Sequence, residues 1–409
     1  MLNSNFNAFD KIKDLVSANL QQMKGINKAR HTFFASLVET WLALPVRYTV
    51  LNLGRFGSYC EKSLRLHFEK SFDFATFNST AIKAHCSKAL IAAFDPSYVP
   101  KSGKQTHGLG KWWSGKDQRS LKGLEISSLA IVDTEARTAM SLEVVQTPSK
   151  EDLEKKKQNL VSHYVGVIKK RLPILKSMVK YLVADGYFMK HDFIQPLVKE
   201  GLHIITKMRP DANLRYLPAA VREKKKGRPK LRGKKVDCSK IDTTHIVQFN
   251  QDEQAVYYSG IVYCVALKAL VRIVYIQDVK SKRYDILLAT DTALQPELIV
   301  TYYRLRFQIE FLIRDAKQYA GLEECQARSE NKLNFHFNMA FTVVSMAKAA
   351  TWLAVPIEKR EAFSMRNLKV MYYNKFLTER IFANLDMDLN CQKIKSLYTQ
   401  CLDIGVLAA

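Results

Sequence analysis

Tyr303, Arg306, Glu310 and Lys317 have the spacing and the chemistry of a working surface. At about 100° per residue a helix through this stretch gathers the four within an arc of roughly 60° and sends Leu305, Ile309, Leu312 and Ala316 to the opposite side. A Tyr, an Arg and a Lys around one carboxylate can hold a metal ion and grip a phosphodiester together. That points to phosphoryl transfer on nucleic acid. An amphipathic helix whose Arg306 and Glu310 pair only with each other fits the same spacing, so the elements around it must decide.

Two other carboxylates stand where strands end. Ala89 to Phe94 is a short apolar run closing at Asp95, and Tyr181 to Ala184 is another closing at Asp185. Each predicts a buried strand with an acid at its C-terminal tip. Between them lie two predicted strands, Leu124 to Val132 and Thr138 to Val145, joined by a turn at Asp133 to Ala136, and a charged helical stretch from Lys150 to Lys170. A helix near Asp192 to Lys199 and a strand at Leu202 to Lys207 follow. Strand, strand, strand, helix, strand, helix, strand is the order of an RNase H-like α/β domain, a mixed sheet flanked by helices. Glu310 supplies a third acid. Three carboxylates from two strand tips and a helix can converge on two divalent ions for an in-line displacement.

The remainder of the chain has a different character at each end and in the middle. Residues 1–85 read as a helical domain, with Phe34, Leu37, Val38, Trp41 and Leu42 at helical spacing and punctuation near Pro45 and Gly54. Its interspersed Arg and Lys suit a DNA-end binder or a helical cap. Residues 86–209 form the first part of the α/β domain. Residues 210–295 read as a β-rich insertion, and its stretch Val221 to Lys235 holds nine Lys or Arg against Glu223. Arg228 and Lys230 there are candidate DNA contacts. Residues 296–350 return to the α/β domain with Glu310, and 351–409 form a C-terminal helical region.

Composition limits the partners. The 409 residues are 47% hydrophobic and 25% charged, and 63 Lys plus Arg against 39 Asp plus Glu leave a net charge of +24. Such an excess is the footprint of a polyanion partner. No apolar run reaches the length of a membrane span, and no basic segment with an apolar block marks a secretory signal, so a cytoplasmic protein is expected. Seven scattered cysteines without a C-x-x-C pair and nine dispersed histidines argue against disulfides and structural zinc. A bound metal would be held by carboxylates, which selects Mg²⁺ or Mn²⁺.

Asp95-Pro96-Ser97-Tyr98, Asp185-Gly186-Tyr187-Phe188 and the Tyr303, Arg306, Glu310, Lys317 set resemble the catalytic blocks of bacterial insertion-sequence transposases of the DDE group with the Tyr-Arg-Glu-Lys signature. The resemblance covers about residues 88–350. It implies an RNase H-like domain, interrupted by a β-rich insertion, that cuts element ends and joins them to target DNA by cut-and-paste. By position, Asp95, Asp185 and Glu310 would ligate two Mg²⁺ or Mn²⁺ ions, while Tyr303, Arg306 and Lys317 would hold phosphates near the cleaved end. The implied partners are double-stranded DNA, as terminal inverted repeats and target, and a second copy in a synaptic homodimer, near the nucleoid. A nuclease that cuts without joining and an inactive DNA-binding derivative are the rival readings.

One departure from the family stands out. Members that excise through a DNA hairpin often stack a flipped base on a Trp of the insertion, whereas Trp41, Trp112, Trp113 and Trp352 all lie outside it. Tyr257, Tyr258 and Tyr263 are the substitutes. Gly110 to Lys116 matches G-x-x-x-x-G-K, but Asp117 replaces the Ser or Thr that would face Mg²⁺, so a DNA-contacting loop is the better reading. Adjacent Tyr302 and Tyr303 lack the Arg and His set of a tyrosine recombinase, and Asp133, in a turn signal, is a weaker metal ligand than Asp95.

Overall fold

The computed structural model describes residues 6–209, 211–218, 232–385, 387–388 and 391–407. Arg228 and Lys230 lie outside the described residues. Eleven strands and fourteen α-helices are present among those described, a mixed α/β fold with helices against the sheet strands, as the sequence predicts. The chain packs as two compact units, Met1–Ala89, Pro96–Lys156 and Gln308–Ala409 in one, Leu90–Asp95 and Lys157–Phe307 in the other.

The N-terminal segment is helical throughout: α1 (Phe6–Gln21), α2 (Lys28–Ala43), α3 (Val50–Phe56), α4 (Glu61–Glu69) and α5 (Phe74–His85). Asn27 starts α2 by accepting from the Arg30 N–H at 2.8 Å, and the predicted apolar positions from Phe34 to Leu42 are buried. Pro45 follows the end of α2. Gly54 does not end a helix as expected. It sits inside α3, where an added Cβ would lie 3.2 Å from the Glu61 nitrogen, so its job is close packing against α4.

Strand β1 (Leu90–Pro100) passes from one unit to the other between Asp95 and Pro96. It is longer than its apolar run predicts and does not stop at Asp95. Its second half runs beside the next hairpin, β2 (Gly110–Ser114) and β3 (Arg119–Asp133). At Gly123 of β3 a Cβ would fall 2.6 Å from the Val99 carbonyl oxygen, so only glycine allows this approach. Strand β4 (Thr138–Gln146) pairs with β3 across the predicted turn. Asp133 is 1% exposed and organises that turn, accepting from the N–H groups of Glu135 and Ala136 at 3.0 and 2.9 Å and from both Ser87 donors. It is a structural acid. The expected helical stretch after β4 is two helices, α6 (Lys150–Lys155) and α7 (Leu160–Lys170), because Asn159 and Ser162 form a capping box that restarts it.

The second unit continues with α8 (Leu172–Lys176), β5 (Tyr181–Val183), α9 (His191–Val198), β6 (His203–Met208), β7 (Leu214–Arg215), β8 (Val247–Gln251), β9 (Ala255–Cys264), β10 (Ala269–Asp278), β11 (Tyr284–Ala289) and α10 (Pro296–Leu305). Strands β1, β5 and β6 run parallel. Beyond β6 the sheet continues antiparallel through β11, β10 and β9, with β7 and β8 both on β9. The β-rich segment thus extends the parallel strands edge to edge.

Helix α11 (Phe307–Tyr319) leads back to the first unit, followed by α12 (Glu330–Ala347), a π-helical turn at Lys348–Trp352, α13 (Met365–Asn384) and α14 (Gln392–Leu402). Helices α5 and α12 cover the free edge of β4, a strand buried along nearly its whole length. An uncovered strand edge would leave backbone donors and acceptors unpaired. Here side chains substitute for a neighbouring strand. Asn338 accepts from the Val144 N–H at 2.9 Å and donates to the Val144 carbonyl at 2.7 Å. Ser345 accepts from the Ser141 N–H at 2.9 Å, and Asn78 donates to the Leu142 carbonyl at 3.2 Å. Lys348 donates to the Ala139 carbonyl at 3.2 Å. All seven cysteines are free thiols. No helix of the described residues is long and apolar enough to cross a membrane.

Candidate active site

Asp95 and Asp185 each follow by two residues a pair of the parallel β1–β5 ladder. Ala92 pairs with Leu182 and Ala93 with Val183, and both acids come just past the last of these paired residues. Both acids are half-buried. Their platform is aromatic: Phe94 meets Tyr164 of α7 at 5.5 Å and Phe188 at 5.4 Å between ring centroids, and Phe188 meets Phe193 of α9 at 4.6 Å. These rings lock the part of β1 just before Asp95 to the turn that carries Asp185.

The turn after Asp185 is equally constrained. The Asp185 carboxylate accepts from the Tyr187 N–H at 2.9 Å and caps a short 3₁₀ turn, while its carbonyl accepts from the hydroxyl of fully buried Thr206 at 2.7 Å. Gly186 packs closely here, since a Cβ would approach the Lys207 carbonyl oxygen to 3.3 Å. One carboxylate oxygen of Asp185 is therefore held in place by the backbone of its own turn.

The stretch from Tyr303 to Lys317 is two helices, not the single helix expected. The break falls at Arg306, whose N–H bonds to the Tyr303 carbonyl at 3.2 Å in a tightened turn with φ −51° and ψ −37°. Those angles remain helical; Leu305 is buried on α10, and Ile309, Leu312 and Ala316 are buried on α11. Arg306 is only 7% exposed, and its guanidinium lies over the Phe307 ring at 4.7 Å and near the Tyr303 ring at 5.9 Å. Burial pushes the Tyr303 phenol above its usual pKa, with the Arg306 charge opposing and the Asp185 charge adding to it. Asp95, Asp185, Tyr303 and Arg306 all belong to one unit.

Glu310 and Lys317 lie on α11 in the other unit. Glu310 is half-buried in the first turn of that helix. The Lys317 ammonium donates to the Tyr98 carbonyl at 2.6 Å and pairs with Glu323 at 3.0 Å. Among the described residues no group of three or more His, Cys, Asp or Glu side chains is gathered as a metal-binding cluster. The pair Asp95 and Asp185 offers oxygen ligands only, which suits a hard divalent cation.

Of the tyrosines expected to offer a stacking face, Tyr257 cannot. It is 4% exposed, and its hydroxyl donates to Asp252 and accepts from Arg304, both at 2.8 Å. Tyr258 is half-buried with its ring edge-on to Tyr275, and Tyr263 lies beneath the Arg232 guanidinium at 4.0 Å. Gly110 to Lys116 is not a loop but β2 and its turn, and this places Trp113 on the surface, 58% exposed. The short alternation of Lys111 and Trp113 with inward Trp112 and Ser114 is the signal that identifies the strand.

Asp95 thus lies on, and Asp185 just past, adjacent parallel strands of a mixed α/β sheet flanked by helices. The chain belongs to the transposase DDE domain family, whose model matches residues 87–346. No curated protein matches it. The match makes this chain a transposase-type enzyme acting on DNA.

Proposed function

We propose that this transposase cuts the terminal inverted repeats of an insertion element and transfers the freed ends into target DNA by cut-and-paste, working as a homodimer on two ends. The observation that supports the reading is the shared offset of Asp95 and Asp185, each two residues beyond a pair of the parallel β1–β5 ladder. With Glu310 they would hold Mg²⁺ or Mn²⁺, two ions in the fully loaded site. A bound ion would supply Lewis acidity and a lowered pKa for the attacking hydroxyl. The protein's own part is positional. The Tyr187 N–H fixes the Asp185 carboxylate, Arg306 and Tyr303 form a cationic and phenolic wall for a phosphate, and Lys317 reaches a phosphate by exchanging Glu323 for it. Excision through a hairpin belongs to this reading where an aromatic face receives the flipped base.

Asp185→Asn tests the assignment, because the amide oxygen can still accept from the Tyr187 N–H while the charge is lost. Cleavage of a terminal-repeat duplex in Mg²⁺ should be abolished, with end binding nearly unchanged. Binding and cleavage lost in proportion would show a folding role and sink the assignment.

A further inference from the structure

Lys111 and Lys122 face each other directly across the β2–β3 ladder, and Trp113 faces Ser120 at the next position on the same side. Residues directly opposite on antiparallel strands have their Cβ atoms about 4.5–5.5 Å apart, and like charges in that relation are unfavourable. Both lysines are exposed, and the residues beside them on that face are Trp113 and Ser120, with no acid between. Trp112, Ser114 and Gly123 turn to the other, buried side. The hairpin end projects from the core, because β3 is exposed or half-exposed from Arg119 to Lys122 and buried from Gly123 onward. Its turn is stiff: Ser114 donates to Asp117 at 2.6 Å, and Gln118, at φ 52°, donates to the Gly115 carbonyl at 2.5 Å.

An opposed lysine pair and a solvent-facing indole on a rigid strand are costly in isolation and useful together. An indole 58% exposed offers a flat π-face, and two lysines paired across the ladder about 7 Å along the strand offer a seat for a phosphate. A duplex hides its base faces, whereas an unpaired strand presents base and phosphate together. We infer that the exposed face of the β2–β3 hairpin is a binding site for single-stranded DNA, with one base stacked on Trp113 and its backbone held by Lys111 and Lys122. The site deepens the proposed transposase reading by adding an unpaired strand to the substrate.

The test uses the full chain with metal chelated, so that no cleavage intervenes, and compares a short single-stranded oligonucleotide with a fully paired terminal-repeat duplex. Trp113→Ala should weaken single-strand affinity by about ten- to a hundredfold, as loss of one base stack does. Trp113→Phe should restore most of it, and duplex affinity should hold. Lys111→Glu should lower single-strand affinity yet raise the melting temperature, since it turns a repulsive cross-strand pair into an attractive one. A purely structural role would move stability and binding together. Single-strand affinity unchanged in Trp113→Ala, or absent in the wild type, overturns this site. Wild type that binds neither DNA would instead remove the transposase reading itself.

Discussion

Lys348 is a cation placed almost out of reach of water, at 3% exposure on the π-helical turn after α12. Burial pulls its pKa from the usual 10.5 to about 8, with Asp315 and Cys86 opposing the fall and Arg314 adding to it. Its ammonium also faces the Ala139 carbonyl and the Phe363 ring. The unfolded chain keeps this proton up to about pH 10.5, while the folded chain releases it from about 8. Stability from this group is therefore complete above the upper value and lost as pH falls through the lower one. Relative to Lys348→Met, the wild type should gain thermal stability between pH 7.5 and pH 10, on the order of a few kcal/mol at most. Parallel pH dependence in the two proteins would show that Lys348 does not titrate in this window. At this scale the sequence discloses Asp95 and Asp185, since each closes an apolar run, but not Lys348, because a lysine at the end of an apolar helix looks like an ordinary snorkelling side chain.

Among the elements, β4 and α12 show what periodicity can and cannot reveal. The strand is legible as the partner that follows the turn signal at Asp133 to Ala136. The edge cover is not, because Asn338, Thr342 and Ser345 look like scattered polar interruptions in an apolar helix until their helical spacing is set against a strand that lacks a neighbour. Asn338→Leu should leave both backbone groups of Val144 buried without partners, a loss of about 2–6 kcal/mol, given roughly 1–3 kcal/mol for each orphaned group. The urea midpoint should drop with little change in slope. A midpoint within experimental error of wild type would mean that water or a backbone shift replaces the amide. The break at Arg306 is invisible in sequence for a related reason: Tyr303 to Lys317 keeps a continuous amphipathic period through residues whose backbone remains helical.

For the molecule as a whole, the net charge of +24 predicts a steep salt response. A protein engaging six or more phosphates loses about a thousandfold or more in DNA affinity between roughly 50 and 200 mM salt. Titrations of terminal-repeat duplex across that range should give a straight line of log affinity against log salt. A flat line would deny that the positive charge meets the DNA backbone. Fold class and family were within reach of the sequence because strand order and acid positions survive in one dimension. The division into two units was not, since its boundaries fall inside β1 and at the start of α11, where chain pattern runs on unbroken.

The side-chain cover on β4 also sets a timetable for biosynthesis. A ribosome delivers Thr138–Gln146 long before Glu330–Ala347, so the nascent chain carries a strand meant for burial with an open edge through the intervening synthesis. Such edges recruit other chains. Copies of the gene interrupted before α12 would therefore yield products that clump and are degraded, and could not persist as soluble competitors of the intact enzyme.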